Sequence, residues 1–354
     1  MVIINACGFI QEAKEQSVET ILEACRMKEQ GDIQEVVAVG CMVERYRQEL
    51  EVEIPDVDLC LGLTGLSQLV PGLRDRGLFP ETFVPLMEQP LRVLATETAH
   101  TSFLKISEGC DHTCAFCAIL LMRGLHRSAS VEELVGEAAA MARHGVREIN
   151  VVSQDPTWYG RDLRRRDPSA PLLPDLLDAQ LDRTGIDWYR FLYMYPSGIT
   201  QAIVEVLAEA SGRTHGPRIL PYLDMLELLE EIRFERVGAF AYSPEEDTPA
   251  ATMADQVPED VRRERLEELF DLQRMVSLEK NLDLVGSVRT ARVDRVVDDD
   301  HEFALPSNTE GQAIDVDGVT WIQSEGTEGV RPGEFVHRKI MDAGEHDLTA
   351  RMVV

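Results

Sequence analysis

The chain has 354 residues, with 35 Lys and Arg against 63 Asp and Glu, so its formal net charge is −28 at pH 7. This charge argues against a general nucleic-acid binder and against docking on anionic lipid, because both surfaces repel it. No apolar run approaches the roughly 20 residues that span a bilayer, and no signal peptide is recognisable, so we expect a cytoplasmic protein. Its seven cysteines favour metal or redox chemistry over a disulfide framework.

The first 80 residues alternate short apolar runs with helical periodicity. Strands are predicted at 2–6, 35–40 and 57–62, and helices around 18–31, 43–50 and 66–76. Such alternation is typical of a parallel, doubly wound sheet, which we expect to form a domain over 1–80. Residues 81–100 are proline-rich without periodicity and predict a linker.

A second alternating block is predicted over 101–284. Strands are expected at 103–106, 148–153, 189–194, 219–225 and 236–242. Ser130 and Glu133 form a capping-box pattern before one helix, a second helix covers 201–210, and Pro258 opens a long one. A helix from Leu226 follows the strand at 219–225 with no loop, which is anomalous because such connections usually take ~2–6 residues.

From about Ser287 the pattern changes to short alternating strands separated by turns. We therefore expect a small antiparallel β-barrel over 285–354.

The strongest chemical signal is the loop after the first strand of the second block, where Cys110, Cys114 and Cys117 have the spacing C-x3-C-x2-C. Three thiolates on one tight loop can each ligate one iron of a 4Fe–4S cluster and leave the fourth iron open. The alternative is a structural zinc site with His112 as the fourth ligand. Zinc sites usually pair C-x2-C with a distant second pair, which this chain lacks, so the spacing favours the cluster.

This loop resembles the signature of the radical S-adenosylmethionine (SAM) superfamily, with Phe116 in the aromatic position. The resemblance implies that the open iron binds SAM. It also implies that one electron from the cluster cleaves SAM to a 5′-deoxyadenosyl radical, which abstracts hydrogen from a C–H bond.

Further motifs are similar to those of the methylthiotransferases, and within them of the RimO type. They are ISEGC (106–110), LMRGLHRS (121–128), VSQDPTWYG (152–160), YMYPSGI (193–199) and FAYSPEEDTPAA (240–251). The resemblance implies methylthiolation of an aspartate β-carbon in ribosomal protein S-twelve of the small subunit, with Phe116, Ser153 and Gln154 contacting the cofactors. A tRNA adenosine methylthiotransferase of the MiaB type remains an alternative, although that branch differs around 153–155 and 195–196.

The same family carries a second 4Fe–4S cluster on three N-terminal cysteines. Cys7 and Cys41 match two of them, and both follow predicted strands at one edge of a parallel sheet. Either could instead be a small buried apolar residue, which is how we interpret Cys25 and Cys60. The family's first cysteine motif would precede Met1, so we expect this second cluster to be under-ligated.

A second departure from the family lies at 225/226, where relatives have a further helix and strand. The core would then be an incomplete (βα) barrel with exposed apolar faces and open strand edges. An inactive, cluster-binding remnant is therefore a third interpretation.

The C-terminal barrel resembles a TRAM domain. Residues 288–354 contain seven basic and 14 acidic side chains, which suits a Lys- and Arg-rich protein better than RNA. We expect a basic ribosomal protein as partner, together with an electron-donor protein and a sulfur source, and no direct RNA binding.

Overall fold

The computed structural model describes residues 1–78, 100–191, 194, 198–209, 226, 229–230, 233–297, 303–314, 316–327 and 329–353. They divide into two compact units, each assembled from separate pieces of chain. The first takes in the described parts of 1–91, 108–126 and 242–256, and the second those of 92–107, 127–241 and 257–354. The expected linker, 81–100, lies outside the described residues except for His100.

The first unit contains a three-stranded parallel sheet in the order β1-β2-β3. The strands predicted for this region are confirmed. Its elements are β1 (Val2–Asn5), α1 (Gln11–Glu29), β2 (Val36–Val39), α2 (Cys41–Glu53), β3 (Leu59–Leu61), a 3₁₀ helix (Leu63–Gln68) and α3 (Leu69–Asp75). The helix predicted at 66–76 is thus divided, since its first part takes the tighter 3₁₀ form.

The centre of this sheet is apolar on both faces, since all four residues of β2 are buried. Cys25 and Cys60 are buried in the same apolar core, as predicted. Burial raises the pKa of both thiols, so the neutral form dominates and neither is poised for reaction.

The second unit begins with another parallel sheet, in the order β4-β7-β8. The capping box is present as predicted: Ser130 Oγ accepts from the Glu133 amide, and the Glu133 carboxylate accepts from the Ser130 amide. From residue 101 to residue 282 the helices and strands are β4 (Thr101–Lys105), β5 (Ser107–Glu108), α4 (Ile119–Arg123), β6 (Arg127–Ser128), α5 (Val131–Arg143), β7 (Glu148–Val152), α6 (Arg161–Arg164), α7 (Leu173–Arg183), β8 (Trp188–Phe191), α8 (Gln201–Glu209) and α9 (Glu259–Leu282). Of these, α4 belongs to the first unit.

The strand predicted at 236–242 is wrong. These residues are irregular, and the Phe240 side chain is 95 % exposed. A strand requires a neighbour to accept and donate its backbone hydrogen bonds, and no described strand pairs with this segment. The strand predicted at 219–225 lies outside the described residues.

The second unit ends in a closed five-stranded barrel in the order β10-β11-β13-β12-β9. This confirms the predicted barrel, with one parallel pair, β11 with β13, among antiparallel ones. Ala291, Ile322, Ile340 and Ala350 are fully buried in its interior. The strands are β9 (Val288–Val293), β10 (Phe303–Thr309), β11 (Thr320–Gln323), β12 (Phe335–Ala343) and β13 (Leu348–Met352).

A buried ion pair joins the barrel to the parallel sheet of the second unit. Arg292 of β9 places Nη1 2.5 Å from Glu148 Oε2 at the start of β7, and both side chains are fully buried. Arg190 of β8 lies 3.1 Å from the other oxygen of the Glu148 carboxylate, and Asp294 is 2.9 Å from Arg292. The buried charges therefore neutralise one another, as burial of ions requires.

Candidate functional site

The cysteine loop starts at a position that only glycine fits. Gly109 has φ +76°, and a Cβ there would lie 2.3 Å from the Leu125 carbonyl oxygen. The Cys110 amide donates to the Gly124 carbonyl at 3.0 Å, and the Cys117 amide donates to the Cys114 carbonyl at 3.1 Å. The backbone thus doubles back on itself and keeps the three thiols on one compact loop.

All three thiols of this loop are partly exposed and none of the seven cysteines is in a disulfide. Burial and, second, the charge of Cys117 raise the pKa of Cys114. Bound iron would relieve this repulsion, because thiolates are the ligands that iron–sulfur clusters use. The donor set therefore fits a cluster in kind, although the described residues contain no preassembled group of three or more Cys, His, Asp or Glu side chains around a metal position.

Helix α4 brings one N-terminal cysteine to this loop. Ala118, Ile119 and Met122 form a small buried apolar cluster, and Cys41, Cys110 and Cys117 pack against it. Cysteines from both predicted ligand sets therefore contact the same apolar surface within the first unit, a proximity that sequence spacing could not reveal.

Cys7 and Cys41 follow the adjacent parallel strands β1 and β2, and the two connecting loops touch. The Met42 amide donates to the Ala6 carbonyl at 3.1 Å, and a Cβ on Gly8 would lie 2.8 Å from Met42 Cα. The Ser17 hydroxyl accepts from the Cys7 amide at 3.0 Å and so anchors that loop to α1. Cys7 itself is exposed and is not among the cysteines packed on α4.

The three predicted cofactor-contacting residues have different surroundings. Phe116 lies within the cysteine loop and is 40 % exposed, which leaves its ring accessible. Ser153 follows β7, is buried, and has Oγ 2.5 Å from Ser107 Oγ, while Gln154 is exposed. The two serines lie where β4 and β7 end, at the carboxyl edge of a parallel sheet, where such folds place their ligands.

Two charged residues at this site were not singled out from the sequence. Arg123, at the end of α4, places Nη1 2.7 Å from Glu108 Oε1. Burial acts to lower the pKa of Arg123, but Glu108 and Cys41 outweigh it and raise the pKa. Glu108 and Arg123 both lie in the motifs that flank the cysteines, and this position is the only feature of the sequence that pointed to them.

A third feature that the sequence did not reveal involves Glu245, in the block 240–251. Its buried carboxylate lies 2.8 Å from Lys14 Nζ and 3.5 Å from Arg45 Nη1. In the same segment the Ala250 amide donates to the Ala115 carbonyl at 2.8 Å, which ties it to the cysteine loop. Residues 242–256 thus link α1, α2 and the loop in one unit.

Known proteins are similar to this chain over nearly all of its length. The model of Uncharacterized protein family UPF0004 matches residues 1–62, and that of the Radical SAM superfamily matches 104–274. Ribosomal protein uS12 methylthiotransferase RimO of Anaeromyxobacter sp. (strain Fw109-5) is 35 % identical over 419 aligned residues, covering 100 % of this chain and 85 % of the relative. The chain belongs to the RimO family. The protein of that name from Christiangramia forsetii is 34 % identical, covering 98 % of this chain and 85 % of its own.

Membership of the RimO family makes this protein a radical SAM enzyme of the methylthiotransferase class. The family's chemistry uses a 4Fe–4S cluster and SAM. Among solved structures, the cobalamin-dependent S-adenosylmethionine radical enzyme OxsB matches 77 % of this chain and 38 % of its own, at 10 % identity and a TM-score of 0.40. None of the helices in the described ranges has the length and apolarity to cross a membrane.

Proposed function

We propose that this protein methylthiolates ribosomal protein uS12, at the β-carbon of an aspartate, by radical SAM chemistry. The observation that carries the proposal is the Cys110–Cys117 loop, with Phe116 in the aromatic position, in a chain 35 % identical to a uS12 methylthiotransferase along its whole length.

In this proposal Cys110, Cys114 and Cys117 ligate the radical-generating cluster. The three thiols would leave one iron of a bound cluster without a protein ligand, and SAM would bind there. The cluster and SAM, when bound, supply the one-electron chemistry that activates a C–H bond. The hydrogen bond from the Cys110 amide to the Gly124 carbonyl supports this role, because it fixes the backbone position of the first cysteine of the loop.

Cys7 and Cys41 are proposed as ligands of the second 4Fe–4S cluster, the source of the transferred sulfur. Their place after adjacent parallel strands supports this assignment, since both lie at one sheet edge.

Phe116, Ser153 and Gln154 are proposed to position the cofactors. An exposed ring on the cysteine loop can shield the cluster from water. Ser153 holds the loop after β7 through its bonds with Ser107 and the Asp155 amide, and so orients the exposed Gln154 amide toward a ligand.

The domain organisation proposed for this activity has a doubly wound cluster domain (1–80), a linker (81–100), a radical SAM core (101–284) and a TRAM-like barrel (285–354). The core would be a (βα) barrel shortened near 225/226. The alignment with the Anaeromyxobacter relative supports a shortening, because it spans 419 positions against 354 residues here. The acidic barrel would receive the basic ribosomal protein in the cytoplasm, where an electron donor and a sulfur source complete the reaction.

Anaerobic reconstitution with iron and sulfide, followed by iron counting and visible absorption, tests the cluster assignment. We expect at least four irons per chain, four of them on the Cys110–Cys117 loop, since three cysteines and SAM complete the ligands of a 4Fe–4S cluster. Cys110→Ala, Cys114→Ala and Cys117→Ala should each abolish them, while Cys25→Ala, at a buried core cysteine, should not. Fewer than three irons, or a lone zinc, would contradict the proposal.

The substrate is tested by incubating the reconstituted chain with uS12, SAM, reductant and sulfide. Mass spectrometry should find a methylthio group on one aspartate. Release of 5′-deoxyadenosine without that product would contradict transfer by this chain while leaving the radical site intact. A methylthio group on tRNA adenosine instead would overturn the choice of substrate.

A further inference from the structure

A buried carboxylate attaches the segment 242–256 to two helices of the first unit. Glu245 is 4 % exposed, and its Oε2 lies 2.8 Å from Lys14 Nζ of α1 and 3.5 Å from Arg45 Nη1 of α2. The other carboxylate oxygen accepts from the Ser243 hydroxyl at 3.1 Å. Each of the three charged side chains is at most 15 % exposed, so water competes little for these contacts and they are stronger than surface pairs.

The next residue makes a second attachment to α2, which is open to solvent. The Glu246 carbonyl accepts from Arg45 Nη2, and the Glu246 carboxylate accepts from the Tyr46 hydroxyl at 3.2 Å. Glu246 is exposed, so its carboxylate contributes less than that of Glu245. The two neighbouring glutamates therefore offer a matched comparison between a buried and an exposed carboxylate on one segment.

A short turn connects Glu245 to the residues that follow it. The Glu245 carbonyl accepts from the Thr248 amide at 3.2 Å and from the Thr248 hydroxyl at 2.6 Å, and Thr248 is buried. Asp247 within the turn has φ +61°, a left-handed conformation that Asp adopts more readily than most residues. Two hydrogen bonds and a buried side chain thus give the turn one shape, and a shift of Glu245 moves the residues after it.

The segment then reaches the cysteine loop. The Ala250 amide donates to the Ala115 carbonyl at 2.8 Å, and Ala115 lies between Cys114 and Cys117. We infer that Glu245 is a positioning residue, whose ion pairs maintain the hydrogen bond from Ala250 to Ala115 and so fix the shape of the loop before a cluster binds. This inference rests on the proposed function for its purpose, since a loop that is already ordered loses less conformational entropy when it ligates iron.

Amide hydrogen exchange of the metal-free full chain, resolved to single residues, tests the inference. Glu245→Gln should raise the exchange rate of the Ala250 amide about tenfold, the equivalent of ~1.4 kcal/mol, because the neutral side chain no longer pairs with the two cations. The Cys117 amide, which is hydrogen-bonded within the loop, should also exchange faster, because the loop loses its support.

Three comparisons separate positioning from a general loss of structure. The Ala6 amide, which donates to the Val39 carbonyl in the sheet of the same unit, should keep its wild-type rate in Glu245→Gln. Glu246→Gln, at the exposed carboxylate, should leave the amides of the segment and the loop unchanged. Glu245→Asp should restore most of the protection, because a flexible lysine side chain can follow a carboxylate that is one methylene shorter.

Equal Ala250 exchange rates in Glu245→Gln and the wild-type chain would overturn the inference. So would an unchanged Cys117 rate, a rise at Ala6 as large as that at Ala250, or a Glu245→Asp chain that exchanges as fast as Glu245→Gln. Iron counting on the reconstituted wild-type chain keeps the two proposals apart: absence of iron there contradicts the proposed function, whereas exchange in the metal-free protein reports on Glu245 alone.

Discussion

The parallel sheet β4-β7-β8 and the closed barrel β9–β13 lie in the same compact unit but complete their hydrogen bonding differently. Each barrel strand has a neighbour on both sides, whereas the parallel sheet, among the residues that the structure describes, has three strands, of which only β7 has a neighbour on both sides. The segment 236–242 has the apolar composition of a strand, yet it remains irregular. Closure of the barrel gives every strand two hydrogen-bonding neighbours within about 70 residues of sequence. A strand in a parallel sheet instead pairs with strands from distant segments of the chain.

These two regions are held together by charge as well as by packing. The Arg292 side chain of the barrel forms an ion pair with Glu148 of the sheet, and both side chains are fully buried. Such a pair costs desolvation to form but is expensive to break, because the surviving partner stays buried and uncompensated. The following predictions test whether the barrel and the sheet depend on each other.

Breaking the buried pair should have the largest effect. Arg292→Ala should lower the free energy of unfolding by about 3–5 kcal/mol, because the buried carboxylates of Glu148 and Asp294 lose their shared partner and Glu148 keeps only Arg190. Urea unfolding followed by circular dichroism measures it. Arg292→Met combined with Glu148→Leu should recover part of the loss, since the fully buried Glu148 charge is removed while Arg190 and Asp294 each lose a partner.

The control for that measurement is Arg183→Ala, which removes an exposed pair with Glu132 and should leave the unfolding midpoint unchanged. Equal midpoints for Arg292→Ala and Arg183→Ala would show that the barrel and the sheet do not depend on this ion pair.

Core truncation should have the next largest effect and should separate real strands from the irregular segment. Ile340→Ala in the barrel and Ile149→Ala in β7 each remove a fully buried side chain and should cost about 2–5 kcal/mol. Phe240→Ala should change the unfolding midpoint little, because that ring is exposed. A loss with Phe240→Ala as large as with Ile149→Ala would mean that 236–242 is packed as a strand after all.

The smallest effect is expected in the other parallel sheet. Asp58 accepts from the Val36 amide and from Lys28 Nζ at 2.7 Å, and so joins β2 to α1. Burial acts to raise the pKa of Asp58, but the bonds from Lys28 and Val36 outweigh it and lower the pKa. Asp58→Asn should therefore cost roughly 1 kcal/mol at neutral pH.

The pH dependence gives the sign of that effect. A lowered folded pKa stabilises the protein above the ordinary aspartate range, and this contribution is lost as the pH falls through the folded value. Wild-type and Asp58→Asn midpoints in urea should thus converge on acidification, while Asp75→Asn, at an exposed residue of α3, should match the wild type throughout. A constant difference between wild type and Asp58→Asn at every pH would contradict this assignment.

Elements with a strong local pattern were predictable. The capping box at Ser130 needs only a side chain and an amide three residues away, and the barrel strands alternate where turn residues punctuate them. The strand at 236–242 was not predictable in the same way, because apolar composition cannot specify whether a neighbour exists. Arg123 was overlooked because an arginine in a loop has no distinctive pattern until its contacts are known.

The sequence by itself determined the cysteine loop, the two kinds of sheet and membership of the RimO family, since each depends on residues close together or on motifs in order. Only the tertiary structure decided that Cys41 packs on α4 beside Cys110 and Cys117, and that Arg123 pairs with Glu108. Motif spacing reflects residues close together in sequence. A contact between distant segments, such as that of Cys41 with the apolar cluster of α4, follows from how a whole unit buries its apolar surface.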